Sequence, residues 1–166
     1  TYIISGELRH QDSLGNGRTI KAGEFQYMSA GNGVEHSEFN PSPDTPTELL
    51  QIWIQPNNPG GTPRYQDFDL PSHVAGRKIV PIASPHGRDG SIAIRANASV
   101  HYSHLEAGDS LNSLSGVERS WLQLIDGELE IDGETIKPGD GVGIDGPPPK
   151  ISALRESSFF LFTFNH

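Results

Sequence analysis

Apolar residues recur at every second position in short runs along this chain, and glycine, asparagine and proline separate the runs. Residues 2–10 read as a strand ending in the polar turn Asp12-Ser13-Leu14-Gly15-Asn16-Gly17. Asn16-Gly17 is a strong hairpin signal, because both residues tolerate positive φ. Residues 25–29 and 34–39 predict further strands, and residues 48–55 alternate around Leu50, Ile52 and Ile54 as a half-buried strand. The stretch 56–78 is the least regular: residues 56–63 read as a loop or linker, and residues 65–70 as the start of a short helix or a turn. A second set of strands is predicted over 78–84, 91–95, 99–105, 120–125, 129–132, 141–144 and 159–164. No segment has a long helical period. Many short strands at near-regular spacing predict an all-β protein of paired sandwiches or barrels.

One unit of this pattern occurs twice. Gly6-Glu7-Leu8 matches Gly127-Glu128-Leu129, and Thr19-Ile20-Lys21 with Gly23 matches Thr135-Ile136-Lys137 with Gly139. A carboxylate follows each copy, at Glu24 and at Asp140. Two strand-turn-strand copies predict a duplicated β-domain. The copies then diverge: the first leads to His36-Ser37-Glu38, the second to Gly146-Pro147-Pro148-Pro149. Metal chemistry is therefore expected in the N-terminal half. The expected division is a partial N-terminal domain over 1–56, a linker over 57–78 and a C-terminal domain over 79–166.

Composition narrows the function classes. The net charge of -9 and the lack of a Lys/Arg cluster argue against nucleic acid as a partner. With no cysteine, disulfides, zinc-thiolate sites and thiol nucleophiles are absent. No apolar run approaches the length of a membrane span and no signal-peptide pattern opens the chain, so no membrane partner and a cytoplasmic location are the expectations. Thr1 opens on a strand-like run, which predicts a removed tag or a fragment of a longer protein.

The strongest candidate chemistry is His36-x-Glu38. Residues two apart on a strand share a face, so an imidazole nitrogen and a carboxylate oxygen can aim at one point. That is a partial ligand set for iron, manganese or nickel. His10 shares strand parity with Ile4 and Leu8 but is expected to be a surface or turn histidine. His101 and His104, three apart, fall on opposite strand faces and are expected to be structural or exposed. Trp53 and Trp121 are expected in the core or at a barrel mouth, and Phe160, Phe162 and Phe164 on one buried face.

Gly23, Ser29-Ala30-Gly31, His36 and Asn40 stand in an order that resembles the second motif of the cupin superfamily, with Ser29 in place of the usual proline. Residues 6–17, GELRHQDSLGNG, followed by residues 28–40, MSAGNGVEHSEFN, more specifically resemble the pirin family. The resemblance covers residues 1–55, thins through 56–120 and returns as a degenerate cupin over 121–146. It implies two double-stranded β-helix (cupin) barrels in tandem, the N-terminal one incomplete in this chain. It also implies a divalent metal, iron first, with manganese, nickel, copper or zinc as alternatives. The metal would be bound through the residues matching His36 and Glu38 and through a His-x-His motif lying upstream of the segment that matches Thr1–Gly6. The activity implied is quercetin 2,3-dioxygenation of a flavonol, with Glu38 as the candidate catalytic residue that accepts the substrate's hydroxyl proton. Half the ligand set falls within the chain, so metal and activity are expected to be weak or absent here. The alternative implied by the family is a non-catalytic, transcription-cofactor type of protein-binding module. A homodimer through the incomplete barrel is a further expectation.

Overall fold

Gly6 divides the long strand expected over residues 2–10. Its φ is +74°, and a Cβ there would lie 2.4 Å from the Pro46 carbonyl oxygen, so only glycine fits. The chain turns at this point and passes from one sheet to another. In the computed structural model, which describes residues 1–70, 74, 76–112, 114, 116–146 and 148–164, the chain forms two compact units, Thr1–His73 and Val74–His166. His73 and His166, which sequence reasoning left without a role, lie outside the described residues, as does Pro147 of the proline run.

The first unit contains β1 (Tyr2–Ser5), β2 (Glu7–Asp12), β3 (Gly17–Lys21), β4 (Glu24–Ser29), β5 (His36–Phe39), β6 (Glu48–Leu50) and β7 (Arg64–Asp69). They form a sheet ordered β6-β1-β4-β7 and a sheet ordered β3-β2-β5. Ile3, Leu8 and Ile20, with Leu49 beside them, join the two sheets through a small apolar cluster. Residues 64–69, expected as a helix start or turn, are a strand laid antiparallel along all of β4, from Glu24↔Asp69 to Ser29↔Arg64. Alternation was weak there because Arg64, Gln66 and Asp67 carry polar side chains; the ladder to β4 overrides that composition. Where residues 48–55 were expected as one strand, the ladder ends at Leu50. Trp53 follows in irregular chain and is 88 % exposed, so its expected burial does not hold; no described strand pairs with that stretch.

The second unit contains β8 (Ile79–Ser84), a 3-10 turn (Arg88–Gly90), β9 (Ile92–Ala93), β10 (Ala98–Leu105), β11 (Ser110–Leu111), β12 (Arg119–Asp126), β13 (Leu129–Ile131), β14 (Glu134–Ile136), β15 (Gly141–Asp145), β16 (Ile151–Ala153) and β17 (Ser157–Phe164). Its sheets run β15-β12-β17-β10-β8-β9 and β11-β16-β13-β14. Leu105, Leu122, Leu124, Leu129, Ile151 and Leu161 belong to one core drawn from both sheets. The central strand β17 is buried on both faces from Phe159 to Thr163, and its end residue Phe164 is partly exposed, which limits the expected Phe160/162/164 face. Trp121 is also partly exposed rather than in the core. Its ring lies over Gly141 and Gly143 of the neighbouring strand, covering backbone that has no side chains of its own.

The sequence repeat is a structural repeat. Gly23 N–H donates to Ile3 O (2.9 Å) and Gly139 N–H donates to Leu124 O (3.1 Å). Glu24 Oε2 accepts from Lys21 N–H (2.8 Å), and Asp140 Oδ2 accepts from Lys137 N–H (2.9 Å). The carboxylate after each copy therefore ties its own turn. Gly127, like Gly6, has positive φ and meets backbone too closely for a Cβ.

The burial pattern yields a contrast measurable by urea denaturation. Leu122→Ala removes a fully buried side chain and is expected to cost about 2–5 kcal/mol. Trp53→Ala is expected to change stability by no more than about 0.5 kcal/mol, and a larger loss would contradict its exposed placement.

Candidate metal centre

Strand parity puts a polar block inside the first unit. In β2, Leu8 and His10 are buried while Arg9 and Gln11 are exposed. The ladder between β2 and β5 sets His10 opposite Glu38 and Asp12 opposite His36. Directly paired residues share a face, so all four side chains project to the same side. His10 is fully buried, which corrects its expected surface placement. The reason is that β2 continues for two residues beyond it and β5 covers its open edge, so the parity that buries Leu8 also buries His10.

His10 lies at the centre of a hydrogen-bond chain. Its Nε2 is 3.2 Å from Asp12 Oδ2, and its Nδ1 is 3.3 Å from Gln26 Nε2 on β4. Gln26 Nε2 also donates to Glu38 Oε1 at 2.6 Å, and Gln51 Nε2 donates to Glu38 Oε2 at 3.2 Å. The His10 ring stacks with Tyr65 (4.8 Å between centroids) and with His36 (5.6 Å). The Glu38 side chain is 16 % exposed, and His36 is exposed at the rim. Two buried polar atoms of this block, Gln26 Oε1 and the Tyr65 hydroxyl, have no hydrogen-bond partner among the described residues.

Asp12 belongs to the hairpin turn as much as to the site. Its carboxylate accepts from the backbone N–H groups of Leu14 and Asn16 (both 2.9 Å) and from the Asn16 side-chain amide (2.8 Å). Desolvation pushes its pKa up, but hydrogen bonds from Asn16, His10 and Leu14 outweigh this and bring it down to about 2. Desolvation, followed by the nearby Asp67 carboxylate, pushes the Tyr65 phenol up to about 12, so it stays protonated at neutral pH.

His36 and Glu38 thus present one nitrogen and one oxygen donor from the inner face of β5. Each Glu38 oxygen takes one amide hydrogen and retains lone-pair capacity for a cation. This mixed N/O chemistry fits a divalent transition metal. Sequence reasoning missed His10, Gln26, Gln51 and Tyr65. The signal that finds two of them is the repeat. His10 aligns with Ile131, and Gln26, two after Glu24, aligns with Val142, two after Asp140. By the same logic His10↔Glu38 in one ladder corresponds to Ile131↔Ile151 in the other.

A second group of donors lies in the second unit, where sequence reasoning expected no ligands. His104, Glu106 and Glu156 place their ligand atoms within 4.8 Å of one another. His104 Nε2 is 3.5 Å from Glu156 and 3.9 Å from Glu106, and both carboxylates are mostly solvated. Among the described residues no buried, unpartnered atom belongs to this group, and an exposed ion pair of this kind contributes little.

Comparison with known proteins agrees with this architecture. The pirin profile matches residues 1–54, and that of the quercetinase C-terminal cupin domain matches residues 81–164. The quercetin 2,3-dioxygenase of Escherichia coli K12 is 39 % identical over 98 % of this chain and 70 % of the relative. The chain belongs to the pirin family. A pirin-like protein of Caulobacter vibrioides is 38 % identical over 97 % of this chain and 70 % of its own length. The crystal structure of YhhW from Escherichia coli superimposes with a TM-score of 0.90 at 36 % identity, covering 99 % of this chain and 70 % of that one. A second YhhW structure, in complex with nickel(II), also gives a TM-score of 0.90, at 34 % identity over 98 % of this chain and 70 % of that one. The fold is therefore all-β with tandem cupin barrels, as the pirin resemblance implied. Among the described residues no helix is long and apolar enough to cross a membrane.

The Asp12 geometry makes an acid-stability prediction. A carboxylate with a depressed native pKa stabilises the fold above its unfolded value, 3.8, and that contribution is lost as pH falls through about 2. Asp12→Asn is expected to flatten the fall in melting temperature across this window. Equal slopes for the variant and the parent would show that Asp12 contributes no such linkage.

Proposed function

We propose that the polar interior of the first unit is the centre of a quercetin 2,3-dioxygenase-type oxygenase, with His36 and Glu38 as its metal ligands in this chain. The observation that carries this reading is the ionisable cluster held inside a small barrel, where packing alone would favour aliphatic side chains. The names of the bacterial relatives and the nickel complex of the related YhhW support it.

When bound, a divalent cation would polarise the oxygens of a flavonol held against it. The protein's own groups have separate tasks. Gln26 and Gln51 hold the Glu38 carboxylate from both sides, so its direction is set before a ligand arrives. Glu38, half-buried beside the place of the cation, is positioned to take the proton of a substrate hydroxyl. The protonated Tyr65 hydroxyl, buried and unpartnered, is a donor available to a ligand oxygen. His36 is exposed, so a ligand can reach it from solvent. With two donors from this chain, occupancy is expected to be weak.

The test is metal content after loading with nickel(II) or iron(II), followed by loss of quercetin absorbance under oxygen. Glu38→Gln is expected to lower turnover by about 10²–10⁴-fold while the chain stays folded. Metal-loaded protein that leaves quercetin unchanged under oxygen would overturn the activity.

A further inference from the structure

We propose that His10 and Gln26 are positioning residues for Glu38, joined in a relay that begins at the β2–β3 turn and ends at the carboxylate. The inference rests on the reading of His36 and Glu38 as metal ligands and deepens it.

The hydrogens can be assigned from the partners. The Asp12 carboxylate already accepts from three N–H donors of Leu14 and Asn16, so His10 Nε2 carries a hydrogen towards it. Nδ1, 3.3 Å from Gln26 Nε2 and 3.7 Å from Glu38 Oε1, then accepts one hydrogen of the Gln26 amide. The second amide hydrogen goes to Glu38 Oε1 at 2.6 Å. Turning the amide over would set Gln26 Oε1 against an acceptor on His10 and against a carboxylate oxygen on Glu38. The imidazole therefore decides which way the amide faces, and the amide decides where the carboxylate points. This orientation also explains why Gln26 Oε1, on a side chain only 5 % exposed, is left without a partner.

The second unit shows that none of this polarity is needed to build the scaffold. The positions of His10, Gln26 and Glu38 are occupied there by Ile131, Val142 and Ile151. Ile131 and Ile151 belong to its apolar core and Val142 packs against it. The same turn geometry and the same glycine hydrogen bonds form around aliphatic side chains. In the first unit the three positions are instead polar and joined to each other. A purely structural role would be served better by the aliphatic set.

The experiment copies the second unit into the first. In the full chain, His10→Ile and Gln26→Val are compared with the parent for melting temperature and for nickel(II) affinity by calorimetry. The expected result is nickel(II) affinity reduced about 10–100-fold in variants that still unfold in one cooperative thermal transition. His10→Asn, which keeps an acceptor near the Nδ1 position, is expected to recover most of the affinity. Unchanged affinity in both aliphatic variants, or equal losses in His10→Asn and His10→Ile, would overturn the proposal. A second readout needs no metal and no variant. Nitrogen-15 spectra of the metal-free parent at neutral pH are expected to show His10 as the Nε2–H tautomer, and the Nδ1–H tautomer would sink the relay. If the parent binds no nickel(II), the metal reading fails by itself, and the tautomer still decides the relay.

Discussion

The register between β2 and β5 is the constraint on which the first unit's chemistry depends. It sets His10 against Glu38 and Asp12 against His36, with the four side chains on one face. A slip of one residue would turn one strand's pair to the opposite face and separate the imidazole from the carboxylate. The register is held from both ends of β2. At one end Gly6 makes a turn that no other residue could make so close to Pro46. At the other, Asp12 gathers Leu14 and Asn16 into the hairpin turn. Asp12 therefore fastens the hairpin turn and meets His10 with one carboxylate.

A polar interior in a barrel this small carries an energetic cost. Each buried polar atom left without a partner costs about 1–3 kcal/mol, and Gln26 Oε1 and the Tyr65 hydroxyl are two such atoms. The rest of the network offsets this by satisfying its members: both nitrogens of His10, both amide hydrogens of Gln26 and both oxygens of Glu38 are engaged. The second unit runs the same turns around an aliphatic core, although Ser120 Oγ there is also buried without a hydrogen-bond partner among the described residues. The duplicated scaffold thus encloses a polar block in one copy and an aliphatic core in the other.

Membership of the pirin family agrees with that separation. The pirin profile matches the half that contains the polar block, and the quercetinase C-terminal cupin profile matches the half with the aliphatic core. The strong likeness to YhhW extends over nearly the whole chain, including the segment 64–69 whose composition alone did not read as a strand.

Alternation, turn chemistry and the internal repeat were enough to read an all-β duplicated protein, because each is a local property of the backbone. That His36 and Glu38 share one strand face was legible for the same reason, since strand period two needs no knowledge of what lies opposite. The surroundings of that pair were not legible. The burial of His10 depends on β5 arriving at its edge, the approach of Gln26 and Tyr65 depends on β4 and β7 pairing in one register, and Trp53 is exposed because no described strand pairs with its stretch. These are contacts between segments distant in the chain, and neither spacing nor residue type encodes a partner's position. The sequence by itself determined which residues could line a barrel; only the tertiary structure decided which of them meet, because hydrogen-bond geometry is set by strand register and not by order along the chain.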